Sequence, residues 1–133
     1  MSRLLLDTTF LVDGDRSGSL LEDLISDDDE VAVAAITIAE LLVGVYLADD
    51  AHRTARQEFV DAVTEVVPII DYDSAVAVSH AELLVAARRQ GRLRGAHDLI
   101  IAATAKATQR EVVSADRTAY DELPGVSVRS HRA

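Results

Sequence analysis

Leu4-Leu5-Leu6-Asp7-Thr8-Thr9-Phe10-Leu11-Val12 decides the architecture, because three consecutive apolar positions end on a lone carboxylate. A strand that is apolar at every position, rather than at every second one, is covered on both faces, the habit of parallel sheets. Working outward, short β-rich runs return at Val31 to Ala35, Val66 to Ile70, Glu111 to Ser114 and Val126 to Arg129. Between them lie stretches of helical period: Leu20 to Ile25, Ile38 to Leu47, His52 to Val63, Ser74 to Gln90, and Asp98 to about Thr108. A short helical turn is expected before the last strand. Gly91 follows Gln90 as a C-terminal stop, and Pro68 and Pro124 sit at the edges of apolar runs, where turns are expected. This alternation predicts an α/β domain around a mostly parallel sheet of about five strands, with right-handed crossovers placing helices on both faces. Ligands in such sheets bind beyond the carboxyl ends of the strands.

With 133 residues the chain has room for one domain, positions 1–133, and 49% apolar residues suffice to fill its core. It has no cysteine, which removes disulfides, thiolate zinc sites and cysteine nucleophiles. Asp7 stops the first apolar run too early for a signal-peptide core, and no later run would span a bilayer. A cytoplasmic protein without membrane attachment is expected. Thirteen basic residues against 23 acidic ones leave a net charge of −10. That balance excludes a module held to nucleic acid by counterion release alone. It leaves a protein with no nucleic-acid function, or an enzyme whose own carboxylates form a site completed by cations.

Four acids stand where such a site should be. Asp7 follows the first strand and Asp116 the fourth, in Val-Val-Ser-Ala-Asp. Glu40 is read in the first turn of its helix, in Thr-Ile-Ala-Glu-Leu-Leu-Val-Gly, and Asp98 opens Asp-Leu-Ile-Ile-Ala-Ala-Thr-Ala. Each has a structural explanation: Thr37 and Glu40 match a capping box, Asp7 and Asp98 suit N-caps, and Asp116 suits an Asx-turn. Their convergence on one edge changes the balance. Clustered carboxylates repel one another and must be protonated or displaced unless a cation neutralises them. Oxygen ligands without cysteine or a histidine pair select Mg²⁺ or Mn²⁺ over zinc, and such ions activate water for displacement at phosphorus. Thr9 and Ser114, each two residues from an acid, would add hydroxyls to the ligand shell or hold a water.

Taken in order, Leu-Leu-Leu-Asp-Thr-Thr, Thr-Ile-Ala-Glu-Leu-Leu-Val-Gly, His-Asp-Leu-Ile-Ile-Ala-Ala-Thr-Ala and Val-Val-Ser-Ala-Asp…Leu-Pro-Gly-Val resemble the PIN domain. Within that family the chain is similar to the VapC toxins of bacterial toxin–antitoxin pairs, over nearly its whole length. The resemblance implies a Mg²⁺- or Mn²⁺-dependent endoribonuclease that hydrolyses RNA phosphodiesters. Its catalytic and metal-holding acids match Asp7, Glu40, Asp98 and Asp116, with Thr9 and Ser114 as supporting hydroxyls. It also implies a homodimer and a VapB-type antitoxin that covers the active-site groove. Two positions depart from the usual pattern: His97 stands where many relatives carry asparagine, and Ala119 where some carry another acid.

Weaker signals resolve more blandly. Asp13-Gly14-Asp15-Arg16-Ser17-Gly18 imitates an EF-hand opening, but Leu24 occupies the position that needs a bidentate glutamate, so a surface loop is expected. Asp27 to Glu30 reads as a solvated turn. Arg88, Arg89, Arg92 and Arg94 suit a helix C-terminus, yet they lead into Asp98, and Arg92 and Arg94 are candidates for substrate phosphates. His97 would donate to substrate or cap its helix. Three rivals stand beside this reading: a metal nuclease acting on DNA or on RNA ends, a catalytically dead partner-binding domain, and a receiver-like signalling module. The receiver pattern needs paired acids after the first strand, where this chain has Asp7-Thr8-Thr9, and retention of all four acids opposes the inactive domain.

Overall fold

A computed structural model describes residues 2–17 and 26–130. Arg3–Leu6 (β1) is the central strand of a five-stranded sheet. Its companions are Glu30–Ala34 (β2), Ile69–Ile70 (β3), Glu111–Ser114 (β4) and Val128–Ser130 (β5). The order is β3-β2-β1-β4-β5, and every pairing is parallel. The described helices are Thr8–Ser17 (α1), Ala35–Leu47 (α2), Asp50–Val66 (α3), Ser74–Gln90 (α4) and Ala96–Ala107 (α5), with a 3₁₀ turn at Arg117–Ala119.

The leucine run owes its texture to this placement. Leu5, with Ala32, Ala34 and Val112, packs against α4 and α5. Leu4 and Leu6, with Val33 and Val113, pack against α1, α2 and α3. Successive side chains of a strand point to opposite faces, and here both faces are covered, so no position tolerates a polar residue until the strand ends. Burying each of these leucines contributes roughly 1.5–3 kcal/mol. α4 is closed at both ends as its sequence suggests: the Asp73 carboxylate accepts from the Val76 backbone N–H, and Gly91 takes the left-handed conformation at φ 66°.

Several boundaries differ from the expectation. β2 passes directly into α2, so Ala35 is helical and the helix starts before Ile38. α3 runs on to Val66, and only Ile69–Ile70 of the expected Val66 to Ile70 strand pairs with β2. This is an edge strand with one neighbour, and Ile69 is 42% exposed, so the run is not the buried one expected. The last strand lies at Val128–Ser130 rather than from Val126. Asp13 to Ser17 is the second half of α1, not a loop, because α1 lays Phe10, Leu11 and Gly14 against the sheet and carries the charges outward. The expected Leu20 to Ile25 helix lies outside the described residues. Among the described residues no helix is long and apolar enough to cross a membrane.

Candidate active site

The chain leaves β1 towards β2 on one side and returns through β4 on the other. That reversal opens a crevice at the carboxyl ends of β1 and β4, the place where open parallel sheets bind ligands. Asp7 stands directly beyond β1. Its Oδ1 accepts from the Phe10 backbone N–H at 2.9 Å and from the Thr9 hydroxyl at 2.8 Å, and its Oδ2 accepts from the Tyr120 hydroxyl at 2.9 Å. Asp7 therefore does bond to the first turn of α1, as the capping reading expects, while being only 2% exposed.

Glu40 corrects the capping-box reading. α2 begins at Ala35, and its N-cap, Ala34, makes no side-chain bond. Glu40 thus falls in the second turn, too far along to reach back to the cap, and Thr37 is fully buried within the helix. Glu40 Oε1 instead accepts from the Thr8 hydroxyl at 2.7 Å, and Oε2 lies 3.3 Å from His97 Nδ1. His97 accordingly faces an acid of the site rather than capping its helix.

Asp98 is not an N-cap either, since Gly95 holds that position and α5 begins at Ala96. Its carboxylate folds back over Gly95, where a Cβ would stand 2.8 Å from Oδ2. Burial, then the charges of Asp7, Glu40 and Asp116, hold the Asp98 carboxyl above the usual range, with His97 opposing them. Asp116 is exposed. Its Oδ1 accepts from the Thr118 hydroxyl at 2.7 Å rather than from a backbone amide, so the expected Asx-turn is not closed by that bond.

Asp7, Glu40 and Asp98 line one open cleft of about 320 Å³, together with Thr9, Asp13 and Arg16. Asp116 lies outside that lining but close enough to disfavour ionisation of Asp98. The two hydroxyls join these elements. The Asp116 N–H donates to Ser114 Oγ at 2.8 Å, Ser114 Oγ lies 3.1 Å from Thr9 Oγ1, and the Ala115 N–H donates to Thr9 Oγ1 at 3.1 Å. With its single proton given to Asp7, Thr9 accepts from Ser114. Thr9 and Ser114 thus orient Asp7 and tie β4 to α1.

The donor set suits a hard divalent cation: carboxylate oxygens in a cleft, no sulfur, and an acid whose ionisation its neighbours oppose. Among the described residues no three acidic or histidine side chains close into a ready cage. Mg²⁺ does not require one, because it keeps several waters and takes one or two carboxylates.

Arg92 and Arg94 are placed elsewhere. Arg92 Nη2 donates to the Thr118 carbonyl at 2.7 Å, and Arg94 donates to the carbonyls of Ala119, at 3.2 Å, and Asp121. Both line a separate hollow with Leu84, Leu93 and Leu99. Four contributors escaped the sequence reading: Thr8, Arg16, Gly95 and Tyr120. Arg16 had a signal, since Thr9, Val12, Asp13 and Arg16 share one helix face once α1 is recognised. Tyr120 had none, being buried 113 positions away from the carboxylate it bonds.

Residues 4–124 match the PIN domain family. The chain belongs to that family, whose α/β fold it shares. Among solved structures it is similar to VapBC-5 of Mycobacterium tuberculosis, a member of the VapBC family of toxin–antitoxin systems, at 26% identity and a TM-score of 0.81, covering 98% of this chain and 99% of that one. It is similar also to VapBC2 of Rickettsia felis bound to a promoter DNA fragment, at 21% identity and a TM-score of 0.86, covering 96% and 98%. VapBC-1 of nontypeable Haemophilus influenzae is matched at 16% identity and a TM-score of 0.84, covering 98% and 99%. Comparison with curated protein sequences gives no match.

Proposed function

We propose that the chain is a VapC-type toxin, a divalent-metal-dependent endoribonuclease whose acids are Asp7, Glu40, Asp98 and Asp116. The observation that carries this reading is the gathering of Asp7, Glu40 and Asp98 in one cleft at the switch point, with Asp98 opposed in its ionisation by burial and then by the other three acids. Membership of the PIN family and likeness to VapBC structures support the nuclease and toxin parts of it. A bound Mg²⁺ or Mn²⁺ would let the carboxylates ionise together, activate the attacking water and offset charge developing at phosphorus. Asp7 is held for that task by Phe10, Thr9 and Tyr120, and Glu40 by Thr8 and His97. Arg16 adds a basic residue to the lining of the cleft itself. Bonds to carbonyls leave further guanidinium donors on Arg92 and Arg94, so contact with substrate phosphates stays part of the proposal, more strongly for the exposed Arg92. The partners of this reading are an RNA substrate, a VapB-type antitoxin and a second copy of the chain, acting in the cytoplasm as single-domain protomers.

The test is cleavage of a mixed RNA pool by the free protein. Activity is expected with Mg²⁺ or Mn²⁺, loss in chelator, and loss in Asp7→Asn and in Glu40→Gln without a change of fold. Wild-type cleavage that persists after verified metal removal would end the metal-nuclease reading. DNA cut in preference to RNA would reassign the substrate.

A further inference from the structure

We propose that Tyr120, gripped on both sides by Arg94, is a positioning residue that, among the described residues, leaves Asp7 one free acceptor direction, on Oδ2, for a divalent ion. An ionised carboxylate offers about four acceptor directions. Oδ1 of Asp7 has two of them filled, by the Phe10 N–H at 2.9 Å and the Thr9 hydroxyl at 2.8 Å. Oδ2 has one filled by the Tyr120 hydroxyl at 2.9 Å. Oδ2 is then the oxygen through which Asp7 would hold a divalent ion.

Packing alone does not account for the hydroxyl. Tyr120 is 1% exposed in the cluster formed with Leu5, Leu99 and Val112, where a phenylalanine ring would fill the same space. The polar atom of this ring is directed to Asp7. The backbone that carries it is clamped: Arg94 donates to the carbonyls of Ala119 and Asp121, the residues on either side of Tyr120. Gln90 adds a bond to the Glu122 carbonyl at 2.8 Å and accepts from Arg94 at 3.3 Å. The end of α4 and the loop leading to Asp98 therefore hold the segment that orients Asp7, so that two acids from distant parts of the chain share one support.

This inference rests on the metal reading above, and the experiment separates the two. Mn²⁺ is titrated into the metal-free full chain, without RNA, and free Mn²⁺ is followed by electron paramagnetic resonance. Wild type should bind, and Asp7→Asn should lose the site. Tyr120→Phe should bind about 10- to 100-fold more weakly, the usual loss when a group supporting a metal ligand is removed. Arg94→Ala, measured the same way, should also bind more weakly than wild type but lose less than Tyr120→Phe, since Tyr120 keeps its hydroxyl but not its clamp; this second variant carries the test if Tyr120→Phe does not fold. Wild-type Mn²⁺ affinity in a folded Tyr120→Phe or, failing that, in Arg94→Ala, with Asp7→Asn still defective, overturns the positioning role and leaves Tyr120 a packing residue. Absence of Mn²⁺ binding in wild type, or binding unchanged in Asp7→Asn, instead overturns the metal reading.

Discussion

Gly95→Ala is the sharpest test of how tightly Asp98 must be held. The glycine is not required by its backbone, because φ −60° and ψ 135° suit any L-residue. Its requirement is space: a Cβ at this position would lie 2.8 Å from Asp98 Oδ2 and 3.4 Å from Cγ. Ordinary contact begins at 3.4 Å, so the carboxylate oxygen must retreat by up to about 0.6 Å. Functional groups work within about 0.5 Å of their productive positions, and a shift of this size costs roughly 10- to 100-fold in metal affinity or turnover. Stability should hardly move. Alanine is a poorer N-cap than glycine by up to about 1 kcal/mol, while the restricted unfolded chain returns roughly 0.4–1 kcal/mol. The assay pairs Mg²⁺-dependent RNA cleavage with thermal melts in chelator and in Mg²⁺. Expected is a melting curve in chelator close to wild type, a smaller Mg²⁺-induced rise, and cleavage lowered by at least about tenfold. Wild-type turnover and a wild-type Mg²⁺ response would refute the claim that the open space over Gly95 sets the position of Asp98.

Two further outcomes follow from charge. Asp98 is raised above its ordinary value by burial and by three neighbouring acids, so the stability it lends as a neutral acid is complete below the unfolded carboxyl range and is lost as pH rises through the folded value. At pH 7 without metal, Asp98→Asn should therefore melt higher than wild type, by a margin below about 1 kcal/mol for a half-exposed group, and the gain should shrink on acidification; a lower melting point at pH 7 would contradict this. Arg92→Ala should weaken binding of single-stranded RNA by the free protein across unrelated sequences and flatten the logarithmic salt dependence by about 0.7, the share of one neutralised phosphate. An unchanged slope would confine Arg92 to its bond with the Thr118 carbonyl.

The acids were legible because their cost is local. A carboxylate directly after Leu4-Leu5-Leu6 marks the end of a buried strand, and apolar runs of that kind point to a parallel sheet, though its strand order, with β1 beside β4, is seen only in the structure. Helix starts were less legible for an equally physical reason. Ala34-Ala35-Ile36 carries no polar cap, so the strand-to-helix junction at Ala35 leaves no mark, and Thr37-Ile38-Ala39-Glu40 imitates a capping box that the fold does not use. The same motif misplaced Glu40 by most of a turn within its helix, but either position leaves it on the edge of the sheet where Asp7 and Asp98 lie.

What the sequence could not disclose is how those acids are held. Glu40 takes its bonds from Thr8, 32 positions away, and Asp7 from Tyr120, 113 positions away. Neither pairing has a period or a spacing, because tertiary contacts are set by the crossing of elements and not by distance along the chain. The arginines show the limit from the other side. Arg92 and Arg94 were noticed as positive charge next to an acidic site, where phosphate is the partner one looks for. A guanidinium also bonds carbonyl oxygens, which every residue supplies and no sequence pattern marks. Arg94 uses that freedom to brace the segment carrying Tyr120, two residues after Gln90-Gly91-Arg92 has ended α4 and four before Asp98. A cluster of cations beside a metal-type site is thus ambiguous between holding the substrate and holding the site. The two cases separate by measurement on different readouts, the salt slope of RNA binding for the first and Mn²⁺ affinity without RNA for the second.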